Sequence, residues 1–576
     1  MLHTKGRKKV LLWTVVLALV CACVALVACA QSGGQSSSSS AESSAPAASS
    51  SEAASSEKAS SSEEKASDED LTIRAKAPTS VPAADDFGVI TADKWADQYP
   101  LEYESYLANS YNVPGEKGEY AEITAESPDT TSVGTIKATA SDGKANFLDN
   151  DHYPEIKVIG KGYGYAKYYT EPGGHTYSIW SIEHNGRLGD VRGGGTKGIL
   201  ACYACKNPQI HFDAENKGGS ESWLLGEASP LAQQVGVALK MSDDGSAELP
   251  GWKQSATNGA DYYTENISCA NCHENDNPTE PNIIRKDWAR VLGKAWENNT
   301  LGISQSGLVC GQCHCDYSMA LSTTDQEYNN GEPTSPYEED TVGDLSNISP
   351  EKAIEFYDKH DIVDWVYAST GAKMLSIRHA EFEIYYVMDG GSPMFAATGY
   401  ECKDCHMGVK SKDGEAYTSH TWVSPLDDPE IVDSCDTCHE KDGGIEKYVK
   451  DIQEDIDGRN HLIGERYADF IHNFEAKVAT MQDDPANEGQ QALILDEAFA
   501  AQNGIDADTL AKLQDIQRKV CYYWNLPAAD NSEGAHNTKL YNRMLDEAEK
   551  LLDEGDKLLG VTSTAENFEA WNAAQA

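Results

Sequence analysis

Five C-x-x-C units, four closed by histidine and one by lysine, constrain this chain more than any other feature. They are Cys202/Cys205 with Lys206, Cys269/Cys272 with His273, Cys310/Cys313 with His314, Cys402/Cys405 with His406 and Cys435/Cys438 with His439. Two thioethers from one short turn can fix the vinyl edge of a porphyrin, and the next residue then reaches the iron as an axial nitrogen ligand. One such motif could be half of a zinc site, but four in one chain, with a lysine variant as a fifth, read as attachment of five covalently bound haem c groups. Many cysteines in an exported protein otherwise suggest a disulfide framework, and this paired spacing rejects it. Cys315 and Cys521 are left over and read as buried or unpaired thiols.

The N-terminus explains the export. Lys5 to Lys9 form a basic region, Val10 to Val27 an apolar one, and Leu26-Val27-Ala28-Cys29 reads as a lipoprotein cleavage site. Residues 1–28 are thus a lipoprotein signal peptide and Cys29 the lipidation site. Cys21 and Cys23 would leave with the leader. The competing reading is an uncleaved anchor helix; either way the bulk of the chain lies outside the cytoplasm, tied to the cell membrane. Residues 31–66 are mostly Ser, Ala and Glu, which cannot bury enough surface to offset ordering entropy. Residues 29–88 therefore read as a flexible tether, with the fold beginning between Asp85 and Trp95.

Charge excludes some partners. The formal net charge is −47, and residues 1–28 hold four basic residues and no acids, so cleavage makes the chain more negative still. A nucleic-acid partner needs a basic footprint, which is missing here. An anionic substrate would need a local positive pocket.

Five macrocycles would fill interior volume that side chains otherwise fill. The expected fold class is mainly α: a multihaem cytochrome c core over 89–440, with loops and short helices wrapped on the haems, followed by a long-helix region over 441–576. Apolar residues recur at helical spacing in 442–482, 489–524 and 537–559, for example Leu540, Met544, Leu545, Ala548, Leu551 and Leu552. These helices cover the core, and they offer a dimer interface.

Lysine is an unusual iron ligand, because its free pKa of about 10.4 means that the iron must hold it deprotonated. A relay haem has both axial positions closed, whereas a catalytic haem keeps one open. The lysine thus points to one iron tuned for chemistry and four that relay electrons.

Here the chain resembles the pentahaem, ammonia-forming cytochrome c nitrite reductases. The likeness rests on the motif order and on Cys202-Tyr-Ala-Cys-Lys-Asn-Pro208, Cys310-Gly-Gln-Cys-His-Cys-Asp-Tyr317, Met374-Leu375 leading to His379-Ala-Glu-Phe-Glu383, Cys402-Lys-Asp-Cys-His-Met407 and Asn531-Ser-Glu-Gly-Ala-His-Asn537. It implies a reduction of nitrite to ammonium at the Lys206 haem, with Arg187, Tyr317 and His379 in the distal pocket and Arg192 as the fallback for Arg187. It also implies His175 as distal ligand of the Cys310/Cys313 haem, His420 of the Cys269/Cys272 haem and His536 of the Cys402/Cys405 haem. For the Cys435/Cys438 haem the family's histidine is missing. Met394 falls near its place, with His152, His184, His211 and His360 as alternatives. Family members often bind calcium beside the active haem. Here no calcium is expected: Arg378 stands where a ligand would and is expected to pair with Asp316. The family further suggests a homodimer and a membrane quinol-oxidising cytochrome or other redox donor. Two readings compete: a reductase of hydroxylamine, sulfite or another small species, and a non-catalytic surface electron-transfer cytochrome.

Overall fold

The computed structural model describes residues 75–109, 154–162, 175–179, 205–216, 264–285, 288, 302–316, 349–359, 361–375, 377, 380–485, 489–528 and 530–575. The chain divides into two compact units, Met1–Ser67 and Asp68–Ala576, and every described residue lies in the second. The leader, Cys29 and the residues of 29–74 lie outside the described residues. Among the described residues no helix is long and apolar enough to cross a membrane.

The architecture is mainly helical. The first helices are short: α1 Pro100–Ala108, α2 Gln209–Asn216, α3 Gln305–Gly311, α4 Pro350–Lys359, α5 Cys402–His406 and α6 Pro429–His439. Two-stranded antiparallel hairpins lie between them: β1 His273–Glu274 with β2 Asn277–Pro281, β3 Trp365–Val366 with β4 Lys373–Met374, and β5 Val409–Lys412 with β6 Glu415–Thr418. The C-terminal part holds the long helices α7 Ile445–Val478, α8 Ala507–Ala528 and α9 Thr538–Leu559, closed by α10 Ala565–Gln575. At 34 residues α7 spans about 50 Å.

Helical spacing explains why these helices pack. On α7 the buried residues Ile456, Ile463, Tyr467, Phe470, Ile471, Phe474 and Val478 form one stripe. Leu513, Ile516, Val520 and Trp524 do the same on α8, and Leu540, Met544, Leu545, Ala548 and Leu552 on α9. All join one core cluster with Trp288, Leu375, Ile377 and Phe382. Glycine lets the helices approach: a Cβ on Gly555 of α9 would stand 2.5 Å from Phe470 of α7. The α7–α8 seam adds a reciprocal lock, Asn460 Nδ2 donating to the Trp524 carbonyl and Trp524 Nε1 to the Asn460 carbonyl, both at 2.9 Å.

One expectation needs correction. The stretch 489–524 is not a single helix. Gln491–Leu495 is a strand, β8, paired with β7 at Ala479–Asp483, and the short helix Glu497–Gln502 precedes α8. The apolar run Ala-Leu-Ile-Leu suits both periods, so its neighbours decide. Gly489 and Gly504 adopt φ of +81° and +83°, the left-handed region that breaks a helix on either side. Asp496 then caps the next helix by accepting from the Phe499 amide at 3.0 Å.

The segment Glu383–Val387 is a single π turn. Such turns are scarce and re-aim side chains. Here the turn directs Tyr385 and Tyr386 onto the start of α5. Tyr385 donates to the Tyr400 carbonyl at 2.7 Å, and the Tyr386 hydroxyl accepts from the Cys402 amide at 3.1 Å.

Candidate functional site

The C-x-x-C turns converge. The Cys205 and Cys313 thiols hydrogen-bond to one another, as do those of Cys310 and Cys402. Cys272 is near enough to both Cys310 and Cys313 to raise their pKa values, and Cys435 does the same to Cys405. The described cysteines form no disulfide. Burial pushes Cys269, Cys272 and Cys405 up to about 12. Among these, Cys402 alone is lowered, to about 7, by the hydrogen bond from Cys310 and against burial. Cys202 lies outside the described residues. Cys315 and Cys521 are both buried.

Cys438 departs from this pattern. It is exposed, whereas the other described motif cysteines are buried or half-buried. The reason lies in its helix: α6 buries none of its eleven residues, so its last turn stands at the rim of the protein. The three-residue spacing still keeps Cys438 on the same helix face as Cys435, near enough to raise the Cys435 pKa. The fifth turn therefore has the attachment spacing, but with one thiol facing outward.

Three of the converging turns are joined by a cation that sequence reasoning missed. Arg285, 4% exposed, donates from its guanidinium to Cys205 Sγ at 3.1 Å and to the Gln312 carbonyl at 2.6 Å. Gln312 in turn accepts from the Arg285 amide through Oε1 at 3.1 Å and donates to the Asn271 carbonyl at 2.8 Å. Asn271 and Gln312 are the residues just before the second cysteine of two C-x-x-C units. A polar residue at both places is the only signal the sequence carries.

The histidines fall into pairs. The His273 and His420 rings are 6.2 Å apart between centroids, and the His406 and His536 rings 6.4 Å. An iron between two imidazoles requires about 6.3 Å, from metal–nitrogen bonds of about 2.0 Å and the half-width of each ring. Tautomers agree with that use. His406 Nδ1 faces the Val423 carbonyl at 3.1 Å, and His420 Nδ1 faces the Thr418 carbonyl at 3.0 Å. A carbonyl only accepts, so each Nδ1 carries the proton and each Nε2 keeps its lone pair. These residues therefore fit a haem iron.

Burial keeps most of the set neutral, as ligation requires. It pushes His273 and His406 down to about 4 and His175 to about 3, where the charges of His314 and Lys206 add to it. His175 Nδ1 is buried without a hydrogen-bond partner. Two histidines go the other way. Burial would lower His314, but Glu381, whose Oε1 lies 3.8 Å from its Nδ1, raises it. Asp530 Oδ1, 2.8 Å from His536 Nδ1, lifts His536 to about 9 against burial. An iron would displace the second proton. His439 is different: half-buried, with Asp442 Oδ2 at 3.2 Å from Nδ1 and the Tyr448 ring at 4.8 Å.

The Lys206 turn is held from behind, its carbonyl accepting from Ser178 Oγ at 2.8 Å. Asp316 is buried, its Oδ2 accepting from the Tyr357 hydroxyl and its amide donating to Glu383 Oε2 at 3.1 Å. Met394 lies on the short helix Pro393–Thr398, 38% exposed. His211 is buried. Arg187, Arg192, Tyr317, Arg378, His379, His152, His184 and His360 lie outside the described residues.

Comparison with known proteins follows the same direction. A family model described as cytochrome c552 matches residues 91–573. A cytochrome c-552 of Desulfotalea psychrophila is 27% identical over 293 residues, covering 50% of this chain and 49% of that protein. One from Haemophilus ducreyi is 26% identical over 416 residues, covering 70% of this chain and 65% of the relative. The matches thus span about half and just under two thirds of those relatives' lengths. Among solved structures, a cytochrome c nitrite reductase from Desulfovibrio desulfuricans, with two calcium sites, superposes with a TM-score of 0.55 at 22% identity, covering 82% of this chain and 86% of that one. That likeness speaks for the fold.

Proposed function

Because the chain belongs to the cytochrome c552 family, we propose that it is a pentahaem reductase converting nitrite to ammonium by six electrons at the Lys206-ligated haem. The observation that carries this reading is the pair of histidine couples set 6.2 and 6.4 Å apart beside two C-x-x-C turns, since bis-histidine closure belongs to haems that relay electrons. Bound haem groups would supply the electron-transfer chemistry and the iron at which nitrite is reduced. The protein's residues supply the rest.

In this reading Cys202 and Cys205 would hold the active haem and Lys206 would be a ligand of its iron. His273 with His420, His314 with His175 and His406 with His536 close three relay haems. Cys435 and Cys438 hold the fourth at the rim, closed by His439 with Met394. The Arg187 guanidinium pairs with the nitrite oxygens, supplying the positive charge that the acidic chain lacks elsewhere. His379 donates hydrogen bonds and protons as the N–O bonds break, and Tyr317 assists from its phenol. Arg378 pairs with Asp316 in place of a calcium ion, lending order to Tyr317 and His379. Cys29 carries the lipid anchor, the long C-terminal helices pair two copies, and a membrane quinol-oxidising cytochrome feeds the relay.

The test is anaerobic turnover with nitrite and a reduced artificial donor, quantifying ammonium for wild type and His379→Asn. Wild type yields ammonium stoichiometric with nitrite, and the variant loses most of that rate. A ferric protein with no high-spin signal and no ammonium would leave only an electron wire. Magnetic circular dichroism reads Met394 separately, through a methionine-to-iron charge-transfer band.

A further inference from the structure

The two closely paired histidine couples differ in one respect that the fold builds in. In the His273/His420 couple, His420 Nδ1 meets the Thr418 carbonyl, and His273 is touched by the Glu280 backbone carbonyl and by no carboxylate. In the His406/His536 couple, His406 Nδ1 likewise meets a carbonyl, that of Val423, but His536 Nδ1 meets a carboxylate, Asp530 Oδ1, at 2.8 Å.

That carboxylate is held for the purpose. Asp530 is 1% exposed. Its Oδ2 accepts from the Tyr541 hydroxyl and from Ser532 Oγ at 2.5 Å, and Oδ1 also accepts from the Ser532 amide at 3.1 Å. Ser532 Oγ then accepts from the His536 amide at 2.9 Å, so the ligand's backbone is tied to the same knot. Gly534, with φ of +114°, permits the turn between them: a Cβ there would stand 2.8 Å from Ile456 Cγ1. The next residue, Asn537, caps α9 by accepting from the Leu540 amide at 3.2 Å. The imidazole is thus fixed in the tautomer that offers Nε2, with its other proton drawn toward an anion.

A carboxylate on the far nitrogen of a ligating histidine makes the ring more basic. A more basic ligand favours ferric over ferrous iron, and buried negative charge acts in the same direction. We propose that Asp530 is a positioning residue that lowers the reduction potential of the His406/His536 haem below that of the His273/His420 haem. The inference rests on these histidines being the ligands, as read above, and not on nitrite being the substrate.

The consequence is a division of labour. The Cys402/Cys405 turn stands between two others, with Cys402 hydrogen-bonded to Cys310 and Cys405 near Cys435. A haem of depressed potential in that position passes electrons inward without retaining them. The Cys269/Cys272 turn, next to the His273/His420 couple, has Cys272 near Cys310 and Cys313. A haem held there would fill first and keep charge in reserve for a multi-electron reaction.

The test uses the full-length haem-loaded protein, titrated by spectroelectrochemistry with electron paramagnetic resonance. Asp530→Asn keeps the shape and removes the charge. One bis-histidine haem then shifts about tenfold in its reduced-to-oxidised ratio, or about 59 mV upward for one electron, while the remaining midpoints stay in place. Asp530→Glu returns most of the shift, and Tyr541→Phe, which loosens the carboxylate, moves the same haem part of the way. Should Asp530→Asn load its haems and leave every midpoint where it was, the proposal is overturned. If it loses haem instead, Tyr541→Phe decides by the same reading. Ammonium production by wild type is a separate outcome, so failure of the nitrite reading would not be mistaken for failure here.

Discussion

Tyr357 and Asp316 show how one buried bond can hold a site without belonging to its chemistry. The Tyr357 phenol is fully buried and donates to Asp316 Oδ2, one residue before the proposed catalytic Tyr317. Tyr357→Phe keeps the ring and removes the donor, leaving a buried carboxylate short of a partner. Losing one hydrogen bond to a buried carboxylate costs about 1–3 kcal/mol. The variant is expected to melt several degrees lower in a thermal scan of the haem-loaded protein, with haem content unchanged. Sequence reading reached Asp316 through a resemblance, but not Tyr357, which lies 41 residues away and bonds it only in three dimensions. A second residue-scale case responds to pH. His461 Nδ1 lies 3.0 Å from Glu155 Oε1 and its Nε2 3.6 Å from Glu465 Oε1. The bond to Glu155 raises the His461 pKa, and burial raises Glu155 and Glu465. The raised His461 pKa means that the folded state binds a proton there more tightly than the unfolded chain does, so this contribution to stability falls as pH rises. The histidine's share is complete below its unfolded value of about 6.5 and fades as pH climbs through the raised folded one. Between pH 5.5 and pH 8 the apparent melting temperature of wild type should decline, and that of His461→Gln decline less. An equal slope in both proteins would remove the triad as its cause.

At the scale of elements, close packing of α7 against α9 outweighs helix propensity. Alanine at Gly555 would gain about 1 kcal/mol of propensity. Its Cβ, however, would press to 2.5 Å on a Phe470 ring that is fully buried and cannot yield. Overpacking of that kind costs about 1–3 kcal/mol, so Gly555→Ala is expected to lower the melting temperature. Gly458, on α7 with nothing within 4 Å of a built Cβ, is the control: Gly458→Ala should raise it. These helices were legible because a repeat of 3.6 residues is written directly in Leu540, Met544, Leu545, Ala548 and Leu552. The β7–β8 hairpin was not, since Ala492 to Leu495 satisfy two periods and the choice falls to Gly489, Gly504 and Asp496 around them. The C-x-x-C turns were legible for a different reason, as covalent attachment fixes spacing in the chain itself. Their depth was not, because spacing alone does not tell the buried Cys205 from the exposed Cys438. Arg285 and Asp530 carry no such mark. Each acts on a turn that is remote in sequence or reversed in direction, and only packing shows which one.

Across the whole molecule the dominant quantity is charge. A chain of net −47 surrounds itself with a negative potential, and nitrite, an anion, must cross it to reach the Lys206 haem in the proposed reaction. The field's reach depends on salt, about 30 Å at 0.01 M ionic strength and about 10 Å at 0.1 M. A local arginine can hold the anion at close range but cannot cancel a long-range field set by the excess of 93 acidic residues over 46 basic ones. Encounter should therefore be slowest in dilute buffer, the reverse of the steering that complementary charge provides. Raising ionic strength from 0.01 M to 0.1 M is expected to increase kcat/KM for nitrite several-fold while leaving kcat nearly constant, because the chemical step sits inside the protein. Hydroxylamine, neutral near pH 7, supplies the comparison: its kcat/KM should barely respond. If both substrates respond alike, salt is acting on the donor's encounter with the relay haems, and the acidic surface has no part in selecting what reaches the active iron.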